Sequence, residues 1–298
     1  MDSLDDGGAD LHGMIVAQNC MDRLFVSDLD GTLLDQSARL SEYSREQLGR
    51  LLRSGMPFTV ASARSIHTIA SILEGVAIQL PVIEFNGAFI TDLRTRTSLV
   101  CHALEAEIAE AVMRWGLETG VPPFVSTYTR AEQRLYPPAE LRNAGIAWYF
   151  ESRVSARDPR LRACVDPFRT LAEPIVCLTL IGPDELLVPI EARIHASFPE
   201  RASTLRYENR YSPGWYWLTV QSALATKDRA LREVADMYDV ALGRVTVFGD
   251  EVNDIPMFRA AGRGVAVENA IDALKRIASE IIGPHDRDSV VEYLGRAW

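Results

Sequence analysis

The stretch Asp28-Leu29-Asp30-Gly31-Thr32-Leu33-Leu34 follows the apolar run Leu24-Phe25-Val26 and decides how this part of the chain is expected to fold. The apolar run is typical of a buried strand. Gly31 tolerates the backbone angles of a tight turn, so both carboxylates are expected to point into the crevice at the strand's end. One is then placed to attack a substrate and the other to move a proton. The alternative is that both aspartates only stabilise a turn.

Apolar runs alternate with helical patterns in two blocks of the chain. In the first block the pattern predicts strands at 24–27, 58–61 and 82–85, and helices at 41–53 and 65–73. In the second block it predicts helices at 227–237, 255–260 and 270–278, and strands at 244–248 and 264–267. Strands that alternate with helices favour right-handed crossovers, so we expect an α/β fold with a Rossmann-like parallel sheet.

The segment between the blocks, residues 88–222, is richer in proline and aromatic residues. Helical patterns at 105–119 and 184–197 alternate there with strand-like runs at 175–181 and 215–220, which predicts an inserted α+β domain. We therefore expect a core of residues 21–87 and 223–298 that is interrupted by a domain of residues 88–222. The insert's aromatic group either stacks on a substrate or belongs to the domain core; its members are Tyr207, Tyr211, Trp215 and Trp217.

The bulk composition narrows the class of protein. A length of 298 residues favours two domains, and the formal net charge of −10 argues against a nucleic-acid polymer as partner. No apolar segment is long enough to span a bilayer, so no membrane partner is expected. The cysteines form no CxxC pair, which favours reduced thiols in the cytoplasm; they are Cys20, Cys101, Cys164 and Cys177. Residues 1–20 are interpreted as a mobile leader.

Polar residues cluster where the predicted strands of the core end. Asp28 and Asp30 follow the first strand, Ser62 and Arg64 follow the second, and Lys227 opens a helix of the last block. Gly249-Asp250-Glu251-Val252-Asn253-Asp254 follows the strand at 244–248. Because ligands of open parallel sheets bind outside the carboxyl ends of the strands, these residues are expected to form one site.

Asp28, Ser62, Lys227 and Asp250, in this order and with the sequences around them, resemble the haloacid dehalogenase superfamily of phosphohydrolases. The stretches Phe85-Asn86-Gly87-Ala88 and Gly264-Val265-Ala266-Val267-Glu268-Asn269-Ala270 are similar to its Cof-like branch, subfamily IIB. That branch carries a C2-type cap, which agrees with an insert between Arg64 and Lys227. One departure is Ala-Ser-Ala-Arg at 61–64, where the branch commonly has Ala-Thr-Gly-Arg, so Ala63 adds a Cβ near the expected phosphate.

The resemblance implies a role for each residue of the site. Asp28 is the expected nucleophile and Asp30 the expected acid and base. The metal is expected to be Mg²⁺, held by Asp28, Asp250, Asp254 and the backbone carbonyl of Asp30. The residues expected around the phosphate are Ser62, Arg64, Lys227, Asn253, Thr32 and Asn86.

Simpler interpretations remain open for several of these residues. Asp254 also suits the start of the following helix, alone or in addition to the metal role. Arg64 either binds phosphate or pairs with an acid, and Asn269 is either part of the site or a turn residue. Glu251 either tightens the metal site or faces water.

The function expected from the resemblance is Mg²⁺-dependent hydrolysis of a small phosphomonoester, such as a sugar phosphate, nucleotide or cofactor phosphate. Asp30 favours this reaction over dehalogenation, because an alkoxide must be protonated and a halide need not be. One alternative is a phosphomutase or phosphoryl transferase of the same superfamily. The other is a non-catalytic protein that binds a phosphorylated metabolite.

Overall fold

The computed structural model describes residues 21–129, 132–163, 166–209 and 212–298. Its strands are β1 Leu24–Ser27, β2 Phe58–Val60, β3 Val82–Glu84, β4 Phe89–Thr91, β5 Ser98–Cys101, β6 Phe124–Thr129, β7 Glu132–Tyr136, β8 Ile175–Gly182, β9 Ala202–Glu208, β10 Tyr216–Ser222, β11 Val245–Gly249, β12 Arg263–Ala266 and β13 Glu280–Ile281. The predicted leader, Cys20, Cys164 and Tyr211 lie outside the described residues.

The helices complete the order of elements. They are α1 Glu42–Arg53, α2 Ile66–Ile72, α3 Ala106–Glu118, α4 Ala144–Ser155, α5 Asp184–Ser197, α6 Lys227–Met237, α7 Ile255–Ala260, α8 Asp272–Lys275 and α9 Ser289–Ala297. Within the described part of the chain, no helix combines the length and the apolar character that crossing a membrane requires.

The core is a five-stranded sheet in the order β13-β12-β11-β1-β2. Every pair in it is parallel, and β1 lies between β2 and β11. Val26 and Val247 are partners in this sheet, and both are fully buried in one hydrophobic cluster with residues of the surrounding helices. The prediction of an α/β fold with a parallel sheet is confirmed. Because β1 is central, its carboxyl end lies beside the carboxyl end of β11.

A small antiparallel sheet continues the edge of the core. Ile83 of β3 forms a parallel bridge with Ala61, directly after β2, and β3 pairs with β4, which pairs with β5. Ile90 of β4 belongs to the hydrophobic cluster of the core. Residues 88–101, which the sequence assigned to the insert, are thus paired with the core side. The domain boundaries stay predictions, and the pairing favours a later start of the insert.

We call the unit formed by β6–β10 and α3–α5 the cap. Its sheet is antiparallel, in the order β7-β6-β8-β10-β9. One face of the sheet packs an apolar cluster that includes Leu178 and Leu218 against α3 and α5, while α4 covers one end of the other face. The rest of that second face, which we call the polar face, carries buried side chains of Ser126, Gln133, Cys177, Thr179 and Gln221.

The last predicted helix is shorter than expected. The pattern predicts a helix over residues 270–278, whereas α8 spans only Asp272–Lys275. The chain must turn after it, because the backbone N–H of Ser279 donates to Gly264 in β12 at 2.7 Å and β13 follows at once. Pairing with the sheet therefore ends the helix earlier than the local sequence pattern predicts.

Candidate active site

The loop after β1 brings its first carboxylate into the interior. Asp28 is 6% exposed, and its backbone N–H donates to the carbonyl of Phe248 at 3.0 Å. Gly31 has a φ of 74°, and a Cβ there would lie 2.2 Å from Oδ2 of Asp250. Only glycine suits both the turn and this close approach. The loop therefore packs directly on the residue that follows β11.

Lys227 links two of the carboxylates. It is 1% exposed, and its Nζ donates to Oδ1 of Asp28 at 2.6 Å and to Oδ1 of Asp254 at 2.7 Å. Burial alone lowers the pKa of Lys227, but Asp254 and Asp28 outweigh burial, so its pKa is raised above the usual value. Most lysines lie on the surface in water, whereas the ammonium of Lys227 is buried and hydrogen-bonded.

Asp250 and Asp254 are held in the interior by short local contacts. Oδ2 of Asp254 accepts the backbone N–H groups of Asp250 at 3.0 Å and Glu251 at 3.1 Å, while Oγ1 of Thr32 donates to Oδ1 of Asp250 at 3.0 Å. The Glu251 side chain accepts the N–H of Val252, so it caps the turn before α7. Asp254 thus stabilises this turn and binds Lys227 at the same time.

Three carboxylates converge at this point. One ligand atom each of Asp28, Asp250 and Asp254 lies within 4.8 Å of the others. Burial, followed by neighbouring Asp254, raises the pKa of Asp250 to about 7, and burial together with Asp254 and Asp250 raises that of Asp28 against the effect of Lys227. Three carboxyl groups therefore surround a single ammonium. Oxygen donors of this kind fit a hard divalent cation.

Asp30 has a different environment from Asp28. Its side chain is 41% exposed. Arg64 forms a bidentate salt bridge with it, in which Nε donates to Oδ2 at 2.7 Å and Nη2 donates to Oδ1 at 2.5 Å. Arg64 therefore pairs with an acid, one of the two alternatives left open by the sequence. The arrangement leaves one carboxylate buried beside an ammonium and the other accessible beside a guanidinium.

Ser62 follows β2 and is 1% exposed. Its Oγ accepts the backbone N–H of Arg64 at 3.1 Å, which leaves the hydroxyl proton free to be donated. Ala63 is exposed and does not belong to the positive-φ residues, so its Cβ adds no backbone strain. The departure from glycine at this position is accommodated.

The turn after β3 connects three parts of the site. Phe85, Asn86 and Gly87 have φ values of 50°, 55° and 106°, and a Cβ on Gly87 would lie 2.4 Å from the carbonyl oxygen of Thr226. The N–H of Asn86 donates to the carbonyl of Ser62 at 2.9 Å, and its Oδ1 accepts from Nδ2 of Asn253 at 3.1 Å. Consecutive left-handed residues are uncommon and concentrate at functional sites.

Comparison with known proteins identifies the class of this site. A family model described as haloacid dehalogenase-like hydrolase matches residues 25–294. The chain belongs to this family. A relative from Bacillus subtilis (strain 168), named 5-amino-6-(5-phospho-D-ribitylamino)uracil phosphatase YitU, is 24% identical over 282 residues, which cover 91% of this chain and 96% of the relative. Pyridoxal phosphate phosphatase YbhA of Escherichia coli (strain K12) is 23% identical over 278 residues, which cover 91% and 97%.

Solved structures share the fold of this haloacid dehalogenase-like chain. A haloacid dehalogenase-like hydrolase from Bacteroides thetaiotaomicron matches with a TM-score of 0.76 and 23% identity, covering 93% of this chain and 100% of the other. A sugar phosphatase described as subclass IIB matches with a TM-score of 0.73 and 20% identity, covering 92% and 98%. The predicted superfamily and enzyme class, a hydrolase of phosphoric monoesters, are confirmed.

The family's expected site residues are brought together by the fold. Asp28, Lys227, Asp250, Asp254 and Thr32 form one buried network. A second group joins this network through the loop after β1 and the turn after β3, and it consists of Asp30, Arg64, Ser62, Asn86 and Asn253. The roles of these residues remain predictions, which their common location supports.

Two residues near the site had no definite role from the sequence: Asn269 had two alternatives, and Glu84 had no assignment. Nδ2 of Asn269 donates to the carbonyl of Gly31 at 2.8 Å, so Asn269 stabilises the loop after β1. Glu84, hidden inside the apolar run at 82–85, is a fully buried carboxylate. A charge inside a buried strand is a signal that sequence reasoning could have used, because such residues rarely lack a specific partner.

The aromatic group of the cap divides between core and cleft. Trp217 is 3% exposed and packs with Trp215 in the cluster under α4. Tyr207 is 40% exposed, and the pKa of its hydroxyl is raised by burial, Tyr149, Cys177 and Asp30 against the opposing effect of Arg64. The influence of Asp30 and Arg64 on this hydroxyl places Tyr207 on the side of the cap that faces the candidate site.

Proposed function

We propose that this protein is a Mg²⁺-dependent phosphatase that hydrolyses a small phosphomonoester through an aspartyl-phosphate on Asp28. The observation that carries the proposal is the position of Lys227, buried between Asp28 and Asp254 at 2.6 and 2.7 Å. An ammonium held on the expected nucleophile provides a fixed positive charge for an incoming phosphate. The phosphatase names of the relatives agree with this reaction.

The two aspartates of the first loop divide the chemistry. Asp28 attacks phosphorus, the bond to the leaving oxygen breaks, and the phosphoryl group is transferred to the carboxylate. Asp30, which is accessible, gives its proton to the leaving alkoxide when it is protonated, and as a carboxylate it takes a proton from the water that attacks phosphorus. The bond between phosphorus and the Asp28 oxygen then breaks, which releases phosphate and restores the Asp28 carboxylate. Arg64 orients the Asp30 carboxyl, and the Ser62 hydroxyl donates to a phosphoryl oxygen.

The carboxylate cluster is the proposed site of Mg²⁺. Bound there, the cation supplies charge neutralisation for the transferring phosphoryl group. Asp28 and Asp250 are the proposed side-chain ligands, together with the backbone carbonyl of Asp30. Asp254 already binds Lys227 through Oδ1 and two backbone N–H groups through Oδ2, which favours an orienting role for it.

The proposed substrate is a small phosphorylated metabolite whose identity the cap decides. Pyridoxal phosphate and 5-amino-6-(5-phospho-D-ribitylamino)uracil, taken from the names of relatives, are the first candidates. Sugar phosphates and nucleotides complete the set suggested by the sequence. A cytoplasmic location stays a prediction from the sequence.

The decisive experiment is a phosphate-release screen across these four classes of ester. We expect release with Mg²⁺, loss of release with EDTA, and recovery when Mg²⁺ is restored. Release that requires a sugar bisphosphate activator would instead indicate the phosphomutase. Tight binding of an ester without release, unchanged in an Asp28→Asn variant, would indicate the non-catalytic alternative.

A further inference from the structure

Glu84, the last residue of β3, is a carboxylate with no exposed surface. Burial raises its pKa, and hydrogen bonds from Thr91, Gln133 and the backbone of Ile66 oppose that shift. A buried carboxylate is stable only with such partners. The catalytic steps described above do not use Glu84, although its partners come from three separate parts of the molecule.

One oxygen of Glu84 fixes the loop that carries Ser62 and Arg64. Its Oε2 accepts the backbone N–H of Ile66, the first residue of α2. The first N–H groups of a helix lack partners inside the helix, and Ser65 at the N-cap accepts no hydrogen bond from them. Glu84 supplies this contact instead, directly after the loop of residues 62–64.

The other oxygen of Glu84 connects the same loop to the cap. Oε1 accepts from Oγ1 of Thr91 at 2.6 Å and from Nε2 of Gln133 at 2.8 Å. Thr91 lies in β4, on the core side, whereas Gln133 lies in β7, an edge strand of the cap sheet. Two donors from the two sides of the molecule therefore meet on one carboxylate oxygen.

The other end of the Gln133 amide is unpaired. Its Oε1 is the one buried side-chain nitrogen or oxygen without a hydrogen-bond partner among the residues that the structure describes. Glu84 can only accept while it is ionised, so this single contact fixes which way the amide points. An amide that served packing alone would normally satisfy both ends. The contact depends on where the cap holds β7 relative to the core.

We propose that Glu84 is a positioning residue that, through Gln133, makes the placement of Ser62 and Arg64 depend on the position of the cap. Arg64 in turn holds Asp30. A shift at the start of α2 would therefore move both the Ser62 hydroxyl, the proposed hydrogen-bond donor to phosphate, and Asp30, the proposed acid. Neither Glu84 nor Gln133 touches the reacting atoms. This inference rests on the proposed phosphatase function.

A matched pair of variants separates positioning from stability. Gln133→Leu and Thr91→Val each remove one donor to the same oxygen while nearly preserving side-chain volume. With p-nitrophenyl phosphate as the probe, we expect Gln133→Leu to lower kcat on the order of 10-fold with little change in KM, and Thr91→Val to stay within about twofold. Equal kcat losses in both variants, or no loss in Gln133→Leu, would overturn the proposal.

Exchanging the two partners provides a rescue. Gln133→Glu alone places two carboxylates against each other, whereas the double variant E84Q/Q133E restores one amide–carboxylate hydrogen bond with the roles reversed. We expect the double variant to recover kcat relative to Gln133→Glu alone. Purely additive losses would contradict a direct coupling between the two side chains.

An inactive wild-type protein would count against the proposed function rather than against this contact. Hydrogen–deuterium exchange of the peptide covering residues 62–72 then gives the answer without turnover. We expect faster exchange at the Ile66 amide in Gln133→Leu than in Thr91→Val, because only the first variant disconnects the cap. Equal exchange in the two variants would overturn the proposal.

Discussion

The active-site end of the core and the polar face of the cap are both buried and polar, but their side chains are held differently. In the core, Lys227 binds Asp28 and Asp254 in a network of charges. On the polar face, Ser126 and Thr179 are buried and neutral, and Gln221 donates through Nε2 to the carbonyl of Phe85 at 2.7 Å. Fixed charges suit one reaction, whereas neutral donors and acceptors suit hydrogen bonds that select among ligands.

The largest expected effect tests the core side of this comparison. We expect Asp28→Asn to lower phosphate release by about 10³-fold or more, because an amide cannot form the aspartyl-phosphate. Asp236→Asn, an exposed aspartate on α6, is the control and should retain activity. Comparable turnover by both variants in a phosphate-release assay would refute the covalent mechanism.

Removing the central charge should show how strongly the core network depends on it. Lys227→Met leaves Asp28 and Asp254 buried without their ammonium, so we expect a loss of about 3–5 kcal/mol in the free energy of unfolding. Urea unfolding measures the loss, and saturating Mg²⁺ should reduce it. Lys275→Met, outside the site, is the control; an equal loss there would argue against a special role for Lys227.

The accessible aspartate should separate esters by their leaving groups. We expect Asp30→Asn to slow hydrolysis of an alkyl phosphate by about 10²-fold and that of p-nitrophenyl phosphate by less, because a nitrophenolate leaves without a proton. The measurement is the ratio of kcat values for the two esters in the variant and in the wild type. An unchanged ratio would remove Asp30 from proton transfer.

A substitution in the cap should change which substrate is preferred and leave the chemistry intact. We expect Tyr207→Leu to raise KM for the preferred ester by up to about 10-fold, with a much smaller change in kcat, since it removes an exposed ring of the cap whose hydroxyl is influenced by Asp30 and Arg64. Tyr207→Phe, which keeps the ring, is the control. If Tyr207→Leu lowered kcat as much as Asp30→Asn does, the division between chemistry in the core and substrate choice in the cap would be wrong.

The smallest effect concerns the carboxylate between the two regions. The pKa of Glu84 is raised above its usual 4.5, mainly by burial. As the pH rises above 4.5 the unfolded chain loses this proton while the folded protein keeps it, so the free energy of unfolding falls by less than about 1.4 kcal/mol per pH unit. Asp28 and Asp250, whose pKa values are also raised, add a fall of the same sign in both proteins. In urea unfolding from pH 4.5 upwards, the free energy of unfolding should therefore fall less steeply with pH in Glu84→Gln than in the wild type.

The sequence predicted the core well because its signals are local. Asp28 follows a recognisable strand and Lys227 opens a recognisable helix, and the carboxyl ends of parallel strands must meet at one edge of a sheet. The pairing of Arg64 with Asp30 was left open, since the choice between phosphate and an acid depends on distances in space. The link between Glu84 and Gln133 needs the register of two sheets, which no local pattern contains.

The position of the insert also governs the order in which the chain can fold during synthesis. β1 emerges early but pairs with β11, which is made only after the cap is complete. The cap's own sheet uses strands from one continuous stretch, so it is able to form while β1 has β2 on one side and still lacks β11 on the other. Asp28 therefore meets Asp254 late, and a chain truncated before β11 would lack both Asp250 and Asp254.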